Sequence, residues 1–260
     1  MVAIEHHSRV DGHPSMSHVI GIDEVGWGAL AGPIVVCAAS IPFGHWDTVR
    51  EWGFRDSKEV GNAKKTSTNP RTRYAKQTCE SLVDRLEAEG QGLVTWAIGQ
   101  CEGDAVDIET PTSAKNRIIR TAFIQLCLAN KWDMMKDVEV IMDGDKLIPT
   151  IPKGVPQEAI PKADSLILPV SVASVIAKAY RDKIMRKLHL TYPIYGFDTN
   201  VGYGTDKHFE ALIKYGPLQG IHRLCYCKSQ VEKFYYRTYT DRDQRRKALP
   251  AWVQQLGWAR

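Results

Sequence analysis

The sequence lacks long apolar runs, and their absence excludes one class of protein. No stretch approaches the roughly 20 consecutive apolar residues that a membrane-spanning helix needs, and the N-terminal segment has no apolar run of the signal-peptide type. We therefore expect a soluble, cytoplasmic protein with no membrane partner.

A strong excess of one charge is also missing, since 34 Lys and Arg stand against 30 Asp and Glu, for a net charge of +4. Such a balance permits a nucleic-acid partner without requiring one. The six cysteines are scattered, which is typical of free thiols in a reducing compartment.

The chain is long enough for one catalytic domain with appendages. We predict an N-terminal arm over residues 1–16, a catalytic domain over 17–227 and a small, helical C-terminal extension over 228–260. The extension carries eight basic and three acidic residues, an excess of +5 that more than accounts for the net charge of the chain. This excess suggests non-specific contacts with phosphate groups, although a solvated surface helix is the alternative.

Apolar periodicity predicts strands that alternate with helices. The predicted strands cover residues 17–25, 33–41, 93–98 and 138–143. The predicted helices are one around Tyr74 to Leu86 that stops at Gly90, one over roughly 113–130, a long one with the apolar stripe from Val170 to Leu188, and a shorter one that is capped by Thr205 and stops at Tyr215-Gly216-Pro217. The order predicts an α/β fold in which helices flank a mixed sheet.

Carboxylates end two of the predicted strands. Asp23 and Glu24 are adjacent at the end of the first, and Asp143 ends the strand VEVIMD. Such side chains converge on one crevice when the strands are neighbours, and Asp164, ahead of the long helix, could supply a fourth carboxylate. Oxygen ligands without a His or Cys cluster favour Mg²⁺ or Mn²⁺, and two such ions would suit phosphodiester hydrolysis. Solvated turn residues are the alternative for Asp23 and Glu24.

Three glycines, Gly26, Gly28 and Gly32, follow the first strand and loosely resemble a dinucleotide-binding fingerprint. Their spacing is one residue too long, and the segment that follows, PIVVCAAS, favours a strand rather than the helix that this fingerprint must open. We therefore interpret the loop as one whose backbone approaches a nucleic-acid sugar and phosphate. Zinc at His222, Cys225 and Cys227 is also disfavoured, because no second ligand pair lies nearby in the sequence.

Five motifs, in order, resemble those of the type 2 ribonucleases H. GIDEVGWGALAGP is similar to the opening motif of that family, Asp56-Ser57-Lys58 to its DSK element and IMDG to its strand-end DG. The segments KADSLILPVSVASVIAKAYRDKIM and YGFDTNVGYGTDKHFEALIKYGPLQGIHR complete the resemblance, which spans about residues 18–224.

The resemblance implies a ribonuclease H-like fold and an endonuclease with a two-metal site for Mn²⁺ or Mg²⁺. Its expected substrates are RNA–DNA hybrids and duplex DNA that contains ribonucleotides, cut to leave 5′-phosphate and 3′-hydroxyl ends, with a monomeric catalytic unit. The implied metal ligands are Asp23, Glu24, Asp143 and Asp164. The implied nucleic-acid contacts are Gly26, Trp27, Gly28 and Tyr203, joined by Lys58, Lys178 and Arg181 as candidate phosphate contacts.

This chain departs from the family pattern at positions that the resemblance places in substrate loops. Trp27 replaces the usual arginine of the loop, and Asn200-Val201 stands where His-Lys is common. The connection over residues 59–71 also looks longer than usual. A hybrid-binding protein with weak catalysis is therefore the second hypothesis, although four retained carboxylates argue against it.

Overall fold

The computed structural model describes residues 17–60 and 77–239, together with residues 241, 244 and 247. The predicted N-terminal arm, most of the connection over residues 59–71, and Tyr74 lie outside the described residues, as does most of the chain after residue 239. The strands are β1 (His18–Val25), β2 (Ile34–Ser40), β3 (Thr95–Cys101), β4 (Val138–Asp143) and β5 (Gln157–Ile160). They form one sheet in the order β3-β2-β1-β4-β5.

The sheet is mixed, as predicted. β1 pairs antiparallel with β2, with Ile22 opposite Ala38, and parallel with β4, with Ile22 opposite Met142. β4 in turn pairs parallel with β5. Because parallel strands end at the same edge of a sheet, β1 and β4 bring Asp23 and Asp143 to that edge.

Helices provide the rest of the regular structure. They are α1 (Trp46–Glu51), α2 (Cys79–Glu89), α3 (Gly103–Ile108), α4 (Pro111–Asn130), α5 (Ala163–Leu166), α6 (Leu168–Thr191), α7 (Phe197–Asn200), α8 (Asp206–Tyr215) and α9 (Leu224–Thr238). Short 3₁₀ turns cover Phe43–His45 and Pro193–Tyr195.

Local sequence signals set several of these helix ends. The Thr78 side chain accepts a hydrogen bond from the Ser81 amide at the start of α2, and that of Thr205 accepts one from the His208 amide at the start of α8. Gly216, with a φ of 80°, ends α8, as the sequence predicted. The prediction missed β5, a four-residue strand that follows Pro156 and has too few residues to show periodicity.

The chain divides into two compact units. The first is drawn from residues 1–25, 35–99 and 116–180, and the second from residues 26–34, 100–115 and 181–260. The first unit buries β-branched residues of β2 together with α6, including Val35 and Val172. The second has its own core around Phe197, Leu212 and Leu224. Among the described residues, no helix combines the length and apolar character that crossing a membrane requires.

Candidate active site

Four carboxylates form the acidic cluster of the first unit: Asp23, Glu24, Asp143 and Asp164. Asp23 is 9% exposed and Asp164 is 5% exposed, whereas Glu24 and Asp143 are half-buried. Asp143 is the last residue of β4, and its Oδ1 accepts a hydrogen bond of 2.9 Å from the Ala163 amide at the start of α5. That bond fixes the segment that carries Asp164 beside the end of β4.

The buried Asp23 carboxyl holds its proton to unusually high pH. Burial raises the pKa of Asp23 to about 7, and the negative charges of Glu24 and Asp164 add to this effect. Hydrogen bonds from the Ser174 side chain and from the Glu24 amide, the latter at 2.8 Å to Oδ1, act in the opposite direction but do not cancel it. The charged form of Asp23 therefore lacks compensation by positive charge.

The charged form of Asp164 also lacks full compensation by positive charge. Burial raises the pKa of Asp164, and the carboxylates of Asp56 and Asp143 raise it further. The Lys58 ammonium, 3.9 Å from Asp164 Oδ2, lowers it only in part. Asp56 lies in the DSK-like motif without a predicted role, and the structure adds its charge to the surroundings of the cluster.

Lys58 is the cation that the described residues place next to the acidic cluster. Its side chain is 83% exposed. Partial desolvation lowers the pKa of Lys58, but the surrounding carboxylates, of which Asp56 contributes most, outweigh it and raise the pKa overall. A charged, exposed ammonium at this position can meet a phosphate group, and that role of Lys58 stays a prediction.

The donor set of the cluster fits divalent cations of the Mg²⁺ and Mn²⁺ type. All four groups are carboxylates, the ligands that hard cations prefer, and the raised pKa values of Asp23 and Asp164 identify positive charge as what the cluster lacks. Among the described residues, no three His, Cys, Asp or Glu side chains converge closely enough to hold one ion. The cluster therefore has the chemistry of a metal site, while its side chains are not gathered into a coordination shell.

The glycine loop, residues 26–32, is held by buried guanidinium groups. Arg223 donates to the carbonyl oxygens of Gly26 at 2.6 Å, Trp27 at 3.0 Å and Gly32 at 2.8 Å. Burial, together with the charge of Arg181, lowers the pKa of Arg223 to about 10, so this side chain stays protonated at neutral pH. Arg223 is the last residue of the motif that ends in GIHR, and its role could not be predicted from that motif.

The prediction that Arg181 contacts phosphate is wrong. Arg181 is 0% exposed, and its guanidinium donates to the carbonyl oxygens of Ala31 at 3.0 Å, Pro33 at 2.9 Å and Val201 at 2.8 Å. Three of the five N–H donors meet backbone oxygens, and because the side chain is fully buried it presents no donor to solvent. Arg181 shapes the loop instead of binding the nucleic acid.

The other predicted contacts keep surfaces that a nucleic acid could reach. Tyr203 is 38% exposed, and its ring lies 5.6 Å from the Arg181 guanidinium carbon. Trp27 is half-buried, with the Lys115 ammonium 4.8 Å from its ring centroid. Gly28 is exposed, and Lys178 is half-buried. The roles of these residues stay predictions.

The structure bears on the two alternative interpretations, a dinucleotide-binding loop and a zinc site. Strand β2, not a helix, follows the glycine loop, so the dinucleotide-binding interpretation is excluded. His222 has both ring nitrogens in hydrogen bonds, one with the Leu218 amide and one with His208. Cys227 is buried, with its thiol directed at the Arg223 carbonyl oxygen.

A mixed sheet flanked by helices, with carboxylates at the ends of adjacent parallel strands, is the arrangement of the ribonuclease H-like class of folds. The family model described as Ribonuclease HII matches residues 20–229, and the chain belongs to this family. It is thus a metal-dependent type 2 ribonuclease H, a phosphodiester hydrolase of RNA in RNA–DNA hybrids.

Individual relatives agree with this assignment. The ribonuclease HII of Syntrophobacter fumaroxidans is 34% identical over 208 residues, which cover 80% of this chain and 76% of that protein. The crystal structure of ribonuclease H2 from Pyrococcus horikoshii aligns with a TM-score of 0.58 at 23% identity, covering 84% and 98% of the two chains. The crystal structure of Bst ribonuclease HIII in complex with Mn²⁺ aligns with a TM-score of 0.60 at 20% identity, covering 88% and 73%. These two structures support the fold.

Proposed function

We propose that this enzyme cuts the RNA strand of RNA–DNA hybrids and also cuts on the 5′ side of single ribonucleotides embedded in duplex DNA, leaving 5′-phosphate and 3′-hydroxyl ends. The observation that carries the proposal is the acidic cluster, in which buried Asp23 has its pKa raised to about 7 beside Glu24 and Asp164. Clustered negative charge opposes the binding of a phosphodiester unless cations join it. The cluster therefore serves chemistry rather than simple binding.

Asp23, Glu24, Asp143 and Asp164 would hold the ions. Two bound Mg²⁺ or Mn²⁺ ions would supply activation of the attacking water and stabilisation of the leaving oxygen. A Mn²⁺ complex of a ribonuclease HIII with the same fold supports this choice of metal. Asp143 is oriented for the task by the Ala163 amide, which leaves its second oxygen available as a ligand.

The protein itself would position the substrate. Lys58 offers an exposed ammonium for a phosphate, and the glycine loop and Tyr203 would identify the ribonucleotide and the nucleotide after it. Gly28 has nothing within 4 Å of the position that a Cβ would occupy, so its backbone is open to a sugar. A site built to pair with a 2′-hydroxyl rejects plain DNA, because its donors stay unpaired without that group.

Three matched duplexes test the proposal. One carries a single ribonucleotide, one carries a long RNA stretch in one strand, and one is all DNA, each assayed with Mg²⁺ and with Mn²⁺. We expect cleavage of the first two, none of the third, and a 3′-hydroxyl on the fragment upstream of the ribonucleotide. Cleavage of the hybrid alone would contradict the proposed incision at single ribonucleotides.

Two further proposals concern the state of the enzyme. We propose a monomeric catalytic unit and a cytoplasmic location. Light scattering at assay concentrations checks the first, and fractionation of the source cells checks the second. A stable dimer or a membrane-bound fraction would contradict them.

A further inference from the structure

Two buried histidines, His208 on α8 and His222 just before α9, face each other in the second unit. Both are 0% exposed, and their Nε2 atoms are 3.2 Å apart. His208 Nδ1 lies 2.9 Å from the Tyr203 carbonyl oxygen, and His222 Nδ1 lies 2.8 Å from the Leu218 amide nitrogen. A continuous chain of hydrogen bonds thus runs from the Leu218 amide to the Tyr203 carbonyl.

The direction of this chain is fixed by its two ends. The Leu218 amide can only donate, so His222 Nδ1 is the acceptor and carries no hydrogen. Neutral His222 must then carry its hydrogen on Nε2 and donate it to His208 Nε2. His208 in turn carries its hydrogen on Nδ1 and donates it to the Tyr203 carbonyl oxygen, which can only accept.

Aromatic neighbours keep both imidazoles neutral. The Tyr195 ring lies 4.9 Å from that of His222, and the Phe197 ring meets that of His208 edge-on at 5.5 Å. Burial lowers the pKa of His222 to about 3, with His208 contributing, and burial lowers that of His208 as well. A second proton would leave two N–H groups facing each other at 3.2 Å, so the neutral, directed chain is the stable arrangement.

The carbonyl of Tyr203 is held by this chain of hydrogen bonds, and its amide and ring are held by other contacts. Its amide donates to the Asn200 carbonyl oxygen at 2.8 Å, and its ring lies against the Arg181 guanidinium. The backbone on both sides of the Tyr203 Cα is therefore tied down, while the ring stays 38% exposed. Fixing the backbone restricts the directions in which the exposed ring can point.

We propose that His208 and His222 are positioning residues that set the orientation of the Tyr203 ring for its contact with the nucleotide that follows the ribonucleotide. The inference rests on the proposed role of Tyr203 in substrate recognition. It adds a function for two histidines whose side chains are fully buried. Through the imidazole pair, the position of the segment before α9 determines the position of Tyr203.

Two substitutions of His208 separate the hydrogen bond to Tyr203 from the link to His222. The Asn side-chain nitrogen takes the place of Nδ1, so His208→Asn keeps a donor to the Tyr203 carbonyl oxygen. In His208→Gln the amide lies at the place of Nε2 and that donor is lost. We expect His208→Gln to lower kcat/KM on the single-ribonucleotide duplex by about threefold to tenfold, the worth of one hydrogen bond, and His208→Asn to restore most of it.

Coupling to Tyr203 distinguishes positioning from a general loss of stability. If the histidine acts through the ring, His208→Gln has no further effect on cleavage once Tyr203→Ala is present. An equal loss in the wild-type and Tyr203→Ala backgrounds would overturn the proposal, as would an unchanged rate for folded His208→Gln. Thermal unfolding of the wild type, the two single variants and the double variant shows whether each protein is folded at the assay temperature.

Nitrogen NMR of the imidazoles gives a readout that does not depend on catalysis. We expect hydrogens on Nε2 of His222 and Nδ1 of His208, and a shifted Tyr203 ring signal in His208→Gln but not in His208→Asn. The opposite tautomers, or an unmoved ring signal, would refute the positioning role. If these signals agree but the wild type does not cut the single-ribonucleotide duplex, the proposed function fails while the structural relay stands.

Discussion

At the scale of single residues, burial decides which charged side chains can meet a substrate. Arg181 and Lys58 were equivalent candidates in the sequence, yet Arg181 is fully buried against backbone oxygens while the Lys58 side chain is 83% exposed. A guanidinium has five donors and can satisfy several carbonyls at once, so it suits an interior position that an ammonium would fill less well. The residue type predicts the charge of a side chain, but not whether that side chain faces solvent or the interior.

Asp143→Asn tests the acidic cluster at one residue. The Asn oxygen can still accept the Ala163 amide, so the fold is retained while a charged metal ligand is lost. We expect cleavage to fall by on the order of a hundredfold or more, with hybrid binding nearly unchanged and the rise in Tm caused by Mn²⁺ reduced. Asp145→Asn, an exposed carboxylate two residues along, serves as the control. Substantial cleavage by Asp143→Asn at saturating Mg²⁺ would exclude Asp143 from the site.

Trp27→Arg tests the departure from the family loop. The change removes the contact between the Trp27 ring and the Lys115 ammonium, of about 0.5 to 1 kcal/mol, and places a second cation beside Lys115. We expect tighter duplex binding at low salt, a steeper salt dependence by about one phosphate contact, and an unchanged cut position. Lys115→Gln should move the salt dependence in the opposite direction. A cut displaced from the ribonucleotide in Trp27→Arg would show that the Trp27 side chain, not the loop backbone, sets the register.

At the scale of elements, the glycine loop is shaped by the segments packed around it. Its Leu30 amide donates to the Gly202 carbonyl oxygen at 2.8 Å, and its Gly32 amide donates to the Ile221 carbonyl oxygen at 2.9 Å. Arg223 and Arg181 occupy its carbonyls. The loop is therefore a rigid element, and its glycines have different roles.

Gly26→Ala and Gly28→Ala should give different defects. Gly26 has a φ of 82°, and a Cβ there would lie 2.2 Å from Arg181 Nε, so Gly26→Ala strains the loop and lowers the free energy of unfolding by about 1 to 3 kcal/mol. A Cβ at Gly28 meets nothing within 4 Å, so stability should be kept while cleavage falls if a sugar approaches there. Urea unfolding and kcat/KM are measured for both variants. Full activity of Gly28→Ala would refute close approach of the substrate to that backbone.

At the scale of the whole molecule, the two compact units divide the proposed tasks. The acidic cluster and Lys58 belong to the first unit, and the glycine loop, Tyr203 and the histidine pair belong to the second. Catalysis and recognition are thus predicted to respond separately to substitution. Acid stability and duplex binding are two properties that can be measured on the full chain.

Acid stability is one such property. The folded-state pKa of His222 is about 3 against 6.5 for the free side chain, so below pH 6.5 the unfolded chain binds a proton that the folded chain does not. The stability contribution is fully present above pH 6.5 and is lost as the pH falls toward 3. We expect the free energy of unfolding to fall less steeply over this window in His222→Asn than in wild type. Parallel slopes for wild type and His222→Asn would contradict the low folded-state pKa.

The basic extension is the second whole-molecule test. Helix α9 ends at Thr238, so deleting residues 240–260 leaves it intact. The deleted part contains five basic and two acidic residues, and its loss should weaken duplex binding and flatten the salt dependence. Binding is measured by fluorescence anisotropy over a range of salt concentrations. An unchanged slope in a folded truncation would remove the extension from the nucleic-acid contacts.

Sequence alone determined the elements whose signals are local. The β4 run VEVIMD, the Thr205 cap and the Gly216 stop could all be predicted, because apolar periodicity, capping and positive φ act over a few residues. The four carboxylates could also be named as candidates from sequence, three from their positions at the ends of apolar strands and Asp164 from its place ahead of a long helix, and their role as metal ligands stays a prediction. The short strand β5 could not be found, because four residues carry no usable period.

Only the tertiary structure decided what depends on neighbours distant in sequence. The burial of Arg181 and Arg223 against the glycine loop joins residues about 150 or more positions apart, and no local pattern encodes it. The directed pair of His208 and His222 likewise exists only because folding brings two imidazoles to 3.2 Å inside an apolar shell. Sequence supplies the chemical groups, whereas desolvation and hydrogen-bond partners, which fix their charge and direction, are set by packing.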